Sequence, residues 1–237
     1  HTSFPGLALT AATFYTILNA LGIPMAPTYT PDPLASDPVF NFVVLFPAIM
    51  ATLTCLVMYF LGKDIGGRET GLFAAFFLAL SASYIGRTSI GFFDDETVGI
   101  LGILLFMLFF LRSIEEDKAL RSSALYAFAA GLSLGYLFIS WGASRYPVGL
   151  LLLFVGVALL LRRYSPRLLL SYSVTFGLSL FIAATLPYLG FGFLLETTNL
   201  AVFGVFILLC AFEISRHIKT TRMKTIFAVG FLALVVF

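Results

Sequence analysis

The sequence predicts an all-α bundle of transmembrane helices, and three observations predict it. Of the 237 residues, 60 % are hydrophobic and 11 % charged, with a mean hydropathy of +1.02; a soluble globular chain carries about 25 % charge. The charges are clumped between apolar runs that are long enough to cross a bilayer. The basic residues fall into alternate loops, as in a chain that crosses repeatedly with one face turned to the cytoplasm. The net charge of +2 is dispersed over short loops, which argues against a nucleic-acid surface.

The runs follow in order. Run 4–22 opens on Pro5 and Gly6, acceptable at a helix start, and lacks the basic n-region of a signal peptide. It either spans or lies in the outer interface as part of a longer external loop. The connection 23–38 holds five prolines and is a loop, not a helix. Seven further runs, 39–62, 70–85, 97–111, 122–140, 147–161, 168–187 and 198–214, each cross once, with tilt and flanking polar residues absorbing the short lengths. A last run starts at 225 and is cut at Phe237 after about 13 residues, where a span needs ~20. With no Met at the start, residues 1–237 read as a single transmembrane domain from the middle of a longer protein. Cys55 and Cys210 lie inside apolar runs and behave as small hydrophobes.

Twelve of the fourteen Lys and Arg lie in the loops around 63–68, 112–121, 162–167 and 216–224. The positive-inside rule makes that face cytoplasmic. The opposite, outer face keeps only Arg87 and Arg145, yet it holds Asp32, Asp37, Asp94, Asp95, Glu96 and Glu196, six of the twelve acids.

The candidate site is GRTSIGFFDDETVGI, residues 86–100, with three consecutive acids between two apolar runs. A carboxylate in hydrocarbon costs about 2.5–3.5 kcal/mol on insertion scales, so acids at a membrane edge need water, a partner or a cation. In an extended segment Asp94 and Glu96 face the same way while Asp95 turns aside. Such hard oxygen donors suit Mg²⁺ or Mn²⁺, with further ligands from elsewhere. A proton relay or a merely solvated acidic loop accounts for the same residues. Arg87 is either a surface counter-ion for Asp94 or a clamp for an anion. Trp141, the single tryptophan, reads as an interfacial anchor or else a lipid- or sugar-binding residue, Glu196 as solvated unless the fold brings it inward, and His217 as uninvolved. The outer face offers no Ser/His or Cys/His arrangement for nucleophilic catalysis, and the chain has no Gly-rich phosphate loop.

These residues resemble a family. FPGLALTAATFYTILNALGI followed by NFVVLFPAIMATLTCLVMYFLGKDI is similar to the part of oligosaccharyltransferase catalytic subunits that follows their first external loop. YIGRTSIGFFDDETVGI looks like that family's second acidic motif, R-[ST]-x-x-G-x-[YF]-D-x-[DE]. LGYLFISWGASRYPVGLLLL resembles its W-G-G segment, and GFGFLLETTNLAVFGVF the run before a later helix. The resemblance implies the membrane fold of the GT-C type lipid-sugar glycosyltransferases. It implies en bloc transfer of a glycan from a polyprenyl phosphate or pyrophosphate carrier to Asn in Asn-x-Ser/Thr of an acceptor polypeptide, with Mn²⁺ or Mg²⁺ as cofactor. Mapped by motif, Asp94 and Glu96 are metal ligands, Arg87 is the motif arginine that supports the catalytic site, and Asp95 is the variable position. W-G-A in place of W-G-G, with Ser144 and Arg145 in place of the usual pair, departs from the pattern. The family's first external-loop Asp would precede His1, and its external-loop Glu and W-W-D-Y-G domain would follow Phe237, so the chain alone is expected to be inactive. By resemblance the site faces outward from an archaeal cell membrane, or into the lumen of the endoplasmic reticulum. Two other readings of the acids are an ion-coupled transporter and a different lipid-sugar transferase. Transporters place such charges near the midplane and often carry inverted repeats, whereas here the acids lie at the edge and no repeat is visible.

Overall fold

The computed structural model describes residues 4–23 and 37–218. The proline-rich connection, Asp32 and the run from 225 lie outside the described residues. The chain forms α1 Pro5–Ala20, α2 Pro38–Leu80, α3 Ala82–Thr88, α4 Glu96–Ile114, α5 Leu120–Ser140, α6 Arg145–Leu160, α7 Pro166–Thr185 and α8 Thr197–His217. Short 3-10 turns, Gly142–Ser144 and Phe191–Leu195, precede α6 and α8. Six of these helices are long and apolar enough to cross a membrane. Helices satisfy every backbone polar group internally, which the hydrocarbon core demands. The protein is a multi-pass integral membrane protein.

The hydropathy reading places α4 to α8 to within about three residues at each end. The largest difference lies at 63–68, expected as a loop. There α2 is a helical hairpin, broken only at Gly66 and Gly67, where Gly67 adopts φ 86. The left-handed conformation suits a residue without Cβ. The arms then close on each other: a Cβ on Gly62 would lie 2.9 Å from Gly71 Cα, and one on Gly71 would lie 2.5 Å from the Tyr59 carbonyl oxygen. The second arm bends at Ser81 and continues as α3, still antiparallel to the first arm. The Tyr84 hydroxyl donates to the Ala51 carbonyl (3.4 Å), and the Gly91 N–H donates to the Val44 carbonyl (2.9 Å). Lys63, Asp64 and Arg68 interrupt the hydropathy, yet they are helical and exposed at the closed end of the hairpin, on either side of the two glycines.

α5 is the axis of the bundle. Its buried residues include four small ones, Ala127, Ala130, Gly131 and Gly135, beside Leu134, Leu137 and Phe138. A Cβ on Gly131 would lie 3.0 Å from the Thr175 carbonyl oxygen and Leu178 Cβ, and one on Gly135 would lie 2.9 Å from Ile182. α7 therefore runs parallel to α5 at close range, and the Thr175 hydroxyl donates to the Ala127 carbonyl (3.1 Å). α4 packs antiparallel on another side, with Gly102 against Leu137. Without water to drive apolar surfaces together, such close backbone approach is what holds helices in lipid.

The two ends of the bundle differ in charge, as the loop count predicts. At one end Asp64 of the hairpin turn pairs with Arg112, and Arg167 Nη1 donates to the Glu115 and Lys118 carbonyls and to Ser123 Oγ. The Tyr164 hydroxyl at this end donates to Glu213 (2.7 Å). These contacts bring the first three basic loops, and Arg216 at the described end of α8, to one end. α1 belongs to the other, outer end. Gly6 touches Ser140, the last residue of α5, and Tyr15 packs on Phe42 near the start of α2 (5.6 Å). Of the two readings of 4–22, the geometry matches the one in which it lies along the outer side.

Two measurements check this architecture. Gly131→Leu should force α5 from α7 and cost about 1–3 kcal/mol, read as a lower unfolding temperature in detergent. In a variant with Cys55 and Cys210 replaced, cysteine at 143 should react with an impermeant reagent outside intact cells and cysteine at 118 should not; the reverse pattern would invert the topology.

Candidate functional site

At the outer end three turns meet: 89–95, leading into α4; 141–145, joining α5 to α6; and 186–196, joining α7 to α8. The first carries the acids. Gly91 adopts φ 85, which suits glycine, and Phe93 then inserts against Phe46 (5.6 Å). This seats the acids at the N-terminus of α4. Asp94 Oδ1 accepts the Asp95 N–H (2.7 Å), and the Asp94 carbonyl accepts the Thr97 N–H (3.0 Å). Glu96 is the first helical residue, where the helix dipole favours a negative charge.

The local conformation differs from the extended one read from the sequence. Asp95 is already helical, with φ −59 and ψ −30. The alternation of an extended chain therefore does not set the directions of the three carboxylates. The reason is the helix start itself: its first N–H groups need acceptors, and with Asp95 helical the Asp94 carbonyl takes the Thr97 N–H while the Asp95 carbonyl takes those of Val98 and Gly99. Arg87, in the last turn of α3, donates from Nη1 to Glu96 Oε1 (2.9 Å) rather than neutralising Asp94. Its guanidinium also lies over the Phe92 ring (5.8 Å). The Arg87 side chain is 51 % exposed and that of Glu96 is 21 % exposed, so the pair sits at the water edge. Burial first, and then the charges of Asp94 and Glu96, push the Asp95 carboxyl above the ordinary carboxylate range. One guanidinium among three carboxylates leaves the turn negative. Among the described residues no three His, Cys, Asp or Glu side chains are placed together to hold a metal ion. The donors present are hard oxygens, the kind Mg²⁺ and Mn²⁺ prefer.

The second turn was not read from the sequence. Trp141 is no lipid-facing anchor: its indole lies against the first turn of α4. A Cβ on Gly99 would come within 2.4 Å of Trp141 Cε3. Glu196 is not simply solvated either. Arg145 Nε donates to Glu196 Oε2 (2.8 Å) and Nη2 to Oε1 (2.7 Å), a bidentate pair across 51 residues. Local pattern carries no signal for such a pair; the hint was the departure from W-G-G at 143–145.

The comparisons with known proteins bear on what this end of the bundle serves. The family described as oligosaccharyl transferase STT3, N-terminal, matches residues 8–237. The chain belongs to the STT3 oligosaccharyl transferase family. It is 30 % identical over 229 residues to the dolichyl-diphosphooligosaccharide–protein glycosyltransferase subunit STT3A of Oryza sativa subsp. japonica, covering 97 % of this chain and 27 % of that protein. It is 27 % identical over 240 residues to subunit STT3 of Saccharomyces cerevisiae, covering 99 % of this chain and 31 % of that protein. The chain thus spans under a third of the length of these STT3 relatives. The fold is that of the Archaeoglobus fulgidus oligosaccharyltransferase. The structure of that enzyme tethered to an acceptor peptide with an NVT sequon superposes with a TM-score of 0.69 at 19 % identity, covering all of this chain and 29 % of that one. Its complex with an inhibitory peptide and a dolichol-phosphate gives a TM-score of 0.66 at 20 % identity, again over all of this chain and 29 % of that one. These superpositions bear out the all-α, polytopic membrane fold expected of an STT3 chain.

Gly99→Ala tests the seat of Trp141. The added methyl should displace the indole, lower the unfolding temperature by an amount equivalent to about 1–3 kcal/mol and shift the tryptophan emission to the red. Unchanged emission would contradict the packing.

Proposed function

We propose that this chain is part of a catalytic subunit that transfers a glycan en bloc from a polyprenyl phosphate or pyrophosphate carrier to the side-chain nitrogen of Asn in Asn-x-Ser/Thr. The observation that carries the reading is the STT3 family match over 8–237, with R-[ST]-x-x-G-x-[YF]-D-x-[DE] standing as Arg87 to Glu96 at the outer end. The bilayer is where a polyprenyl carrier resides, and a site at its edge reaches both a lipid-linked donor and a water-borne acceptor.

In this reading Asp94 and Glu96 hold Mn²⁺ or Mg²⁺, and Asp95 does not. The donor chemistry supports it: Asp94 keeps Oδ2 and Glu96 keeps Oε2 outside the hydrogen bonds of the described residues. A divalent ion there supplies positive charge toward a leaving phosphate. The chain's own contribution is positional. The N-terminus of α4 fixes the two carboxylates, and Arg87 holds Glu96 in one orientation through a charge-assisted hydrogen bond. The net negative turn draws a cation. The exposed outer edge admits a polar acceptor while the apolar helices below it accommodate a lipid tail. Glycosyl transfer to a carboxamide nitrogen needs this division, because that nitrogen is a poor nucleophile and its N–H groups must be held.

The test uses the full-length protein, lipid-linked glycan, an Asn-x-Thr peptide and Mn²⁺, with glycopeptide read by gel shift. Asp94→Ala or Glu96→Ala should cut transfer roughly a hundredfold or more, the scale of losing one charge-stabilising group. Arg87→Ala should cut it about tenfold, as loss of a supporting contact to a ligand does. Asp95→Asn should be mild. Transfer that survives chelation would remove the metal, and ion-driven uptake in place of glycopeptide would make the protein a transporter.

A further inference from the structure

The Arg145 guanidinium makes four contacts. It grips both oxygens of Glu196, donates from Nη1 to the Gly142 carbonyl (3.2 Å), and lies over the Phe193 ring (5.7 Å). Both partners have firm footing. Phe193 is buried edge-on against Phe138 of α5 (5.0 Å), and its carbonyl accepts from the buried Asn199 side chain (2.7 Å). Gly142 follows Trp141 directly, and the Ser144 N–H donates to the Trp141 carbonyl (3.1 Å). Behind Gly142 sits Phe4, whose ring would lie 3.2 Å from a Cβ there and packs on Tyr188 of the α7–α8 turn (5.7 Å). The turn 141–145 is thus held on one side by the α7–α8 turn. On the other side its indole presses on Gly99, three residues from Glu96.

We propose that the Arg145–Glu196 pair is a clasp that seats Trp141 on the first turn of α4 and thereby positions the Asp94 and Glu96 carboxylates. Arg145 and Glu196 are positioning residues for the outer acidic site, an assignment that rests on the reading of that site given above. The pair is 45 % and 35 % exposed, too wet for its own attraction to matter much. Its effect is geometric: a bidentate fork fixes the orientation of both groups. A flat indole wedged on a helix that has no side chain at the contact turns that orientation into a stop for α4. Trp141 links the clasp to the first turn of α4, beside the acids.

Two readouts test the clasp. In the 237-residue chain Trp141 is the sole tryptophan, so its emission and its quenching by acrylamide report the seat directly. In the full-length protein, the Mn²⁺ concentration giving half-maximal transfer reports the carboxylates, with kcat at saturating Mn²⁺ as the control. Arg145→Ala and Glu196→Ala should each red-shift the emission, raise quenching about twofold and raise the Mn²⁺ requirement roughly 5–20-fold, within the range for contacts that orient ligands, with kcat little changed. The swap Arg145→Glu with Glu196→Arg should recover most of both. Gly99→Ala disturbs the indole from the α4 side and leaves the clasp intact; it should reproduce the raised Mn²⁺ requirement even where the swap misfolds. Unchanged emission in Arg145→Ala, or altered emission with an unaltered Mn²⁺ requirement, would overturn the clasp. A wild-type enzyme indifferent to Mn²⁺ would overturn the metal reading first, and this inference with it.

Discussion

The structure depends on the small-residue face of α5. Ala127, Gly131 and Gly135 leave little side-chain bulk where α7 passes, so the two helices approach closely. In a bilayer the lipid tails are as apolar as leucine, and association comes from packing of this kind together with hydrogen bonds such as that from Thr175 to Ala127. The consequence is architectural. With α4 and α7 both registered against α5, their outer ends, and the turns that leave them, are placed by contacts deep inside the bundle.

Those turns explain a feature of the charge pattern. Arg87 and Arg145 are the two basic residues that break the positive-inside distribution, and each has a carboxylate partner on the outer side, Glu96 and Glu196. Asp37 spends its charge at the start of α2, where Oδ1 accepts the Val39 N–H. Among the described outer acids, Asp94 and Asp95 have no cationic partner. The Asp94 carboxylate accepts the Asp95 N–H just ahead of α4, and burial beside two negative neighbours raises the Asp95 pKa. An outer turn with surplus negative charge, fixed on a helix N-terminus, is electrostatically prepared for a cation in a way that a fully paired surface is not.

Hydropathy and the loop charges made most of the fold legible. Spans α4 to α8, the common end of the first three basic loops and the place of the acids at the opposite end all follow from where charge can stand relative to hydrocarbon. What stayed hidden was three-dimensional. The connection at 63–68 is shorter than hydropathy implied, because charged residues break the apolar run while only Gly66 and Gly67 leave the helical conformation. The helical turn at Asp95 looked extended because nothing local announced that α4 needed acceptors there. Trp141 looked like an anchor because tryptophans at span ends usually are, and only the bare surface of Gly99 reveals its seat. Glu196 looked solvated because its partner is 51 residues away. The acids themselves were readable as a candidate site, since three carboxylates at a membrane edge demand a reason.

The same geometry makes the outer site a property of the whole bundle rather than of its own loop. From Gly131 to Trp141 α5 rises about 15 Å, a stiff rod whose inner contacts with α7 fix the height and rotation of the turn at its end. α7 fixes the opposing turn that carries Glu196. A shift of α5 against α7 would therefore carry Arg145 past Glu196 and lift the indole from Gly99. A bidentate pair tolerates little such displacement, because both hydrogen bonds need the planes of the two groups aligned. Helix packing, clasp, indole and carboxylates form one mechanical series. The small residues in the interior are in this sense as much a part of the outer site as the acids that give it its charge.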